Sequence, residues 1–238
     1  MLNPYIAAQR APFGKDLQDE TLKKEVAAML VSEDEENPVP VLEALFNRTL
    51  YMRSRGHDRS LHQMLHSGFY GPINRHRLPA FIHEIERDGH LRTKMYAAID
   101  KVLSGSDVIV GHTDQGMKGD PGYDYEMARS HVYIGGEVFG DWGGGPGGYA
   151  GAGAWRHDFE ANATEALQTA LNKCGAHLDV DGVYGSGTLE AVKDFQRAHG
   201  LSVDGICGED TWSQLNNSAA HAASQKEPPS KNGRRKRS

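Results

Sequence analysis

The sequence predicts a mainly α protein in two parts, a helical N-terminal region and a small three-helix module near the C-terminus. Three observations predict it. Apolar residues recur at helical spacing through the first hundred residues. "GGGPGGYAGAG" at 143–153 places seven glycines in eleven positions and breaks the pattern. Beyond the break, "VDGVYGSGTLEAV" (180–192) and "VDGICGEDTWSQL" (203–215) repeat V-D-G-x-x-G-x-x-T at a 23-residue offset.

Residues 16–33 carry Leu22, Val26, Met29 and Leu30 at i, i+4, i+7 and i+8, which predicts an amphipathic helix. Residues 40–52 carry Leu42, Leu45, Phe46, Thr49 and Met52 likewise, with Asn37 and Pro40 as start signals. Further helices are expected at 59–66, 79–87 and 90–103. Beyond Gly105, Gly and Asp dominate until His131–Phe139, where a short strand or extended segment is expected. The glycine-rich stretch reads as a flexible linker. The expected organisation is thus a helical domain at 1–142, a linker at 143–160, a module at 161–217 and a basic disordered tail at 218–238. In the repeat, each Asp-Gly turn is followed by a Gly and then by a Thr suited to capping a helix.

Composition narrows the partners. No run approaches the roughly 20 apolar residues of a membrane span, so no membrane insertion is expected. "MLNPYIAAQRAPFGKD" lacks the charged-then-apolar layout of a secretory signal, which predicts a chain made in the cytoplasm without an export signal of its own. Cys174 and Cys207 are too few for a disulfide scaffold and lack metal-site spacing. The net charge of −6 is uneven: residues 218–238 hold six Lys/Arg against Glu227 alone. No aromatic is interleaved with those charges, so stacking on nucleic acid bases is not expected. Attraction to an anionic cell surface fits the tail better, with a solubilising role as the plain alternative.

The stretch from "ALQTALNKCG" to "DTWSQL", residues 165–215, resembles the peptidoglycan-binding domain, a three-helix module of bacterial cell-wall enzymes. The matches include Leu167, Gln168, Asp181, Gly182, Thr188, Phe195, Gln196, Asp204, Gly205, Thr211 and Trp212. Most are turn, cap and core positions. The resemblance implies peptidoglycan as the partner, with Tyr184, Thr188 and Trp212 as candidate contacts, core packing being equally open for Trp212.

Beside such a module, the acidic clump Glu33, Asp34, Glu35 and Glu36 gains a chemical reading. Cleaving a glycosidic bond requires a carboxylic acid kept protonated near neutral pH, hence an apolar setting. Glu33 lies four residues past Met29 and seven past Val26, on the apolar face at the helix end, while Asp34 and Glu35 rotate toward solvent. The negative pole of the helix disfavours a carboxylate there as well.

The N-terminal region also resembles the cell wall hydrolase family that includes spore-cortex-lytic enzymes, whose catalytic domain is lysozyme-like. The matching pieces are a helix ending in Glu, "LFNR" (45–48), "SGFYG" (67–71) and "IGGEVF" (134–139). The resemblance implies Glu33 as the catalytic acid, although a short spacing to "NR" leaves Glu35 or Glu36 open. It further implies Asn47 and Tyr70 as cleft residues, Tyr125 as a sugar contact and Asp114 as a second carboxylate. The implied activity is cleavage of the β-1,4 link between N-acetylmuramic acid and N-acetylglucosamine, as muramidase or lytic transglycosylase, by a monomer needing no cofactor.

Two other classes stay open. Wall-binding modules also accompany zinc amidases and peptidases, and His62 and His66 lie at i, i+4. "HQMLH" lacks the Glu of an H-E-x-x-H site, and no third ligand stands out in sequence, so no metal is assigned. A non-catalytic wall-binding protein is the other class, against which the long helical region argues.

Overall fold

A computed structural model describes residues 2–69, 76–117, 131–143 and 148–226. The chain divides into two compact units, Met1–Thr164 and Glu165–Ser238, and the described residues are mainly helical. Among them, no helix is long and apolar enough to cross a membrane.

The first unit opens with a helix the apolar pattern hides. α1 (Pro4–Asp16) buries Ile6, Ala7, Arg10 and Phe13, so a charged residue interrupts its apolar face. Asn3 caps it by accepting from the Tyr5 and Ile6 N–H groups, and Pro4 sits where no N–H is needed. Asp19 then caps α2 (Glu20–Asp34), which buries Leu22, Val26, Met29 and Leu30 as the spacing predicts. α3 (Pro38–Ser54) is almost wholly buried. A Ser60–Gln63 capping box starts α4 (Leu61–Gln63), which runs into a π-helical turn, Met64–Phe69. α5 (Leu78–Arg87) and α6 (Gly89–Leu103) meet at Asp88, whose carboxylate caps α6 through the His90 and Leu91 N–H groups. α2 packs along α5 and α3 along α6, closing a core around Phe13, Val26, Met29, Leu42, Leu45, Phe46 and Ile99.

A small sheet flanks these helices. The expected extended segment at 131–139 is a hairpin, β2 (His131–Ile134) and β3 (Glu137–Gly140). A further strand, β1 (Asp114–Met117), pairs with β3, so the antiparallel order is β1-β3-β2 with Gln115 opposite Phe139 and Ile134 opposite Glu137.

The linker expected at 143–160 is helical from Gly148 onward, as α7 (Gly148–Lys173). Its small residues serve close packing rather than flexibility. Ala152 is fully buried, and a Cβ at Gly151 would stand 2.6 Å from the Tyr51 hydroxyl. Trp155 stacks on Phe159, and Phe159 and Ala163 pack against Ile6. The first unit therefore reaches Thr164 instead of ending near Trp142.

In the second unit, α8 (Ser186–Ala198) and α9 (Glu209–Lys226) follow the last turns of α7, Gln168 of α7 bonding Thr188 of α8 and Gln196 of α8 bonding Thr211 of α9. α9 carries helix past residue 217, into the stretch expected to be a disordered tail.

A chain ending at Trp142 should lose its cooperative thermal transition, because it lacks Ala152, Trp155 and Phe159. A chain ending at Thr164 should keep it. Phe159→Ala in the full chain should cost about 3 kcal/mol in denaturant unfolding.

Candidate active site and wall-binding face

The end of α2 separates the four acids. Glu33 is half-buried and accepts a hydrogen bond from Gln115 Nε2 in β1 at 3.2 Å. Asp34 does not turn to solvent as expected. Its carboxylate accepts from the Glu36 and Asn37 N–H groups and from Asn37 Nδ2, at 2.9–3.0 Å, and so folds the chain from α2 into α3. Glu35 and Glu36 are exposed. Glu33 and Asp34 are thus the two sheltered acids of the clump, and Asp34 is committed to the turn into α3, which leaves Glu33 as the half-buried acid available for chemistry.

Sequence reasoning missed a second acid beside it. Glu137, at the start of β3, is 4% exposed, and its Oε2 has no hydrogen-bond partner among the described residues. Burial, and then the charges of Asp34 and Glu33, push its carboxyl up to about 7. The hairpin turn brings it there: a Cβ at Gly135 would lie 2.7 Å from Asn37 Nδ2, so the turn sits directly on the α2–α3 junction. The signal in sequence was an acid directly after a Gly-Gly turn.

Behind this pair lies a buried polar network. Asn47, expected to line the cleft, is fully buried; it accepts from Arg10 at 3.0 Å and donates to the His112 carbonyl at 3.0 Å. It therefore cannot touch substrate and acts on the site only by holding the chain at 112. Arg48 donates to the Thr113 carbonyl at 2.9 Å and forms an ion pair with Asp114. Asp114 is thus a structural partner of Arg48 rather than an available second carboxylate. Glu43 accepts from the Val108 and Ile109 N–H groups at 2.8 and 3.2 Å. Burial, opposed by Arg10, raises its carboxyl to about 7. Asp141 binds His112 Nδ1 and Arg156 Nε, each at 3.1 Å. Tyr70 and Tyr125 fall outside the described residues.

Among the described residues, one cluster has metal-ligand chemistry: Glu25, His62 and His66, whose donor atoms all lie within 4.8 Å of one another. Cys174 and Cys207 are free thiols.

In the second unit, each repeat turn is clamped by a buried glutamine. Gln168 donates to Asp181 Oδ1 (2.7 Å), the Val183 carbonyl and Thr188 Oγ1, and accepts from the Asp181 and Gly182 N–H groups. Gln196 does the same for Asp204, Ile206, Thr211 and Gly205. Thr188 and Trp212 are 4% and 6% exposed, so both serve this packing and neither is open to a ligand. Tyr184 remains accessible, its hydroxyl joining the two turns through the Gly205 carbonyl at 2.6 Å. Around it Val180, Val183, Val203 and Ile206 stand exposed, an apolar face spread over both turns. A separate groove of about 470 Å³ lies between α7 and α8, lined by Leu171, His177, Leu178, Glu190, Asp194 and His199 among others.

Residues 160–215 match the family model described as a putative peptidoglycan binding domain. Among curated proteins, the chain is similar to an uncharacterized protein in the bpoA1 3' region of Kitasatospora aureofaciens. The two are 45% identical over 60 residues, which is 24% of this chain and 51% of that protein. It is also similar to the N-acetylmuramoyl-L-alanine amidase CwlL of Bacillus licheniformis, 47% identical over 53 residues, 22% of this chain and 15% of that protein. The chain thus spans about half the length of the first relative and a small part of the second. No solved structure matches it. The chain carries a peptidoglycan-binding domain, attached to a larger helical unit.

The raised Glu137 carboxyl has a definite consequence for stability. Its folded pKa exceeds the unfolded value, so the native state keeps a proton that the unfolded chain releases, and stability falls as pH rises from about 4.5 through about 7. Glu43 and Glu160, both raised by burial, act in the same direction. Glu137→Gln should flatten that fall and stabilise the protein at pH 8, by on the order of 2 kcal/mol, as urea titrations across pH would show. If the exposed apolar face around Tyr184 is where the module meets the wall, Val183→Asp with Ile206→Asp should weaken sedimentation with purified sacculi severalfold at unchanged melting temperature. Undiminished binding would move the contact surface elsewhere, the α7–α8 groove first.

Proposed function

We propose that the protein is a peptidoglycan-cleaving enzyme whose first unit cuts the β-1,4 bond between N-acetylmuramic acid and N-acetylglucosamine. The observation that carries the reading is Glu33, a half-buried carboxyl at the end of α2, held by Gln115 from the flanking sheet. A helical body with a small sheet against the acid-bearing helix end is the arrangement expected of a lysozyme-like domain. The peptidoglycan-binding domain supplies the substrate class.

In this mechanism Glu33 protonates the departing glycosidic oxygen, because it is the acid of the clump that is both sheltered and reachable. Glu137, too buried to meet a sugar, is a positioning residue. Protonated up to about pH 7, it spares Glu33 a second negative neighbour. Either water or the sugar's own 6-hydroxyl then completes the reaction. Asp114 is tied to Arg48 instead of standing ready to activate water, a placement that favours transglycosylation by a single acid that returns as base.

The second unit acts by concentration. Holding the wall near Glu33 raises the local amount of substrate without altering the chemical step. The site of action is then the cell wall.

An amidase reading is favoured by one observation, the similarity to a protein named N-acetylmuramoyl-L-alanine amidase. That alignment is about as long as the wall-binding domain alone, so it speaks for attachment more than for chemistry.

Glu33→Gln should lower release of glycan fragments from sacculi by a factor of about a hundred or more while the melting temperature holds. Mass spectrometry of the digest separates the readings: 1,6-anhydro ends mark transglycosylation, reducing ends hydrolysis, and free stem peptides with intact glycan the amidase. Undiminished release by Glu33→Gln would reject the assignment.

A further inference from the structure

We propose that Glu25, His62 and His66 form a divalent metal site, for zinc by the chemistry of its donors, that ties the π-helical turn Met64–Phe69 to α2. The site lies outside the glycan-cutting centre: Glu25 is eight residues before Glu33, about 12 Å along α2.

The geometry comes from two elements far apart in sequence. His62 in α4 and His66 in the π-helical turn have ring centroids 4.3 Å apart. Both rings turn their Nε2 atoms toward one oxygen, Oε2 of Glu25, at 3.8 and 3.0 Å. The three donor atoms fit within 4.8 Å. Donors bound tetrahedrally at about 2.0–2.1 Å lie roughly 3.3 Å apart, so His62 Nε2 must close on Glu25 from 3.8 Å by about half an ångström, and the widest pair, within 4.8 Å, by up to about 1.5 Å. The side chain with most to move, His62, is 59% exposed and free to do so, while Glu25 is only 16% exposed and fixed by α2.

An ion pair does not account for the arrangement as well. It would use one imidazolium per carboxylate oxygen, whereas here two imidazoles share one oxygen and would repel each other if both were charged. A cation between them satisfies all three groups. Two imidazoles and a carboxylate suit zinc and its neighbours in the transition series, while calcium and magnesium prefer oxygen donors throughout. Three protein ligands leave a fourth position for water. π-helical turns are uncommon and concentrate at functional sites, which fits a ligand being held in one.

The test uses the full chain stripped with chelator and titrated with zinc chloride by calorimetry, with metal content measured after dialysis. One zinc per chain is expected, with a rise in melting temperature. His62→Gln should weaken binding by at least the roughly tenfold that loss of an outer partner already costs, and Glu25→Gln should do the same. His62 is exposed, so its replacement leaves the fold intact and keeps the result interpretable should Glu25→Gln destabilise the protein. His83→Ala and Glu33→Gln should bind zinc as the parent does. No uptake at micromolar zinc, or unchanged affinity in His62→Gln, would overturn the site. Since Glu33→Gln keeps its zinc, failure of the metal site and failure of the glycan-cutting reading register in different assays.

Discussion

The first unit depends on one buried side of α3. Glu43, Asn47 and Arg48 face a segment, residues 106–114, that has little regular structure of its own and buries Ser106, Ile109, His112 and Thr113. Each supplies what that backbone lacks: Glu43 accepts two N–H groups, while Asn47 and Arg48 donate to two successive carbonyls. Leaving such groups unpaired in a core would cost about 1–3 kcal/mol each. Arg10 enters from α1 to neutralise Glu43 and to orient Asn47. The segment leads straight into β1, so the position of Gln115, and with it the setting of Glu33, is inherited from α3.

The second unit solves a similar problem by repetition. A turn that exposes its N–H and C=O groups can be fixed by a side chain carrying both a donor and an acceptor, and a glutamine amide is one. Gln168 and Gln196 each reach both edges of an Asp-Gly turn and the Thr that opens the next helix. With the polar groups satisfied inward, the apolar side chains of the turns are left outside. The same device that builds the fold presents the exposed face around Tyr184.

Much of this was legible in the sequence, and what was not had a physical cause. α2 and α3 were readable because their buried faces are apolar at helical spacing, whereas α1 was not because Arg10 sits in the middle of its face. Glu33 could be placed by its distance from Met29, but Glu137 could not, since only the β2–β3 turn brings it to the helix end. Asn47 and Arg48 stood out as a motif, yet their partners lie about 65 residues on, and nothing local reveals whether such residues point at a ligand or at backbone. Gly151 and Gly153 do not loosen the chain as expected, because the same composition serves a loose chain and a tight helix contact. The spacing of Ala152, Trp155, Phe159 and Ala163, one helical face, was the distinguishing sign. The zinc pair lacked its third donor in sequence for the same reason as Asn47: Glu25 lies 41 residues from His66.

The Arg10 contacts also bear on the order in which the molecule forms. Arg10 reaches across 37 residues to Asn47, 92 to Val102 and 96 to Ser106. Each closure spends chain entropy before it returns any contact energy, and closures of that span come late compared with the forming of helical turns. While they are incomplete, the 106–114 segment is unanchored and β1 has no fixed place. Glu33 then sits at the end of a finished helix but without the Gln115 contact that β1 brings to it. The chemistry expected of this unit thus belongs to the last contacts the chain makes, and a partly folded molecule is a chemically quiet one.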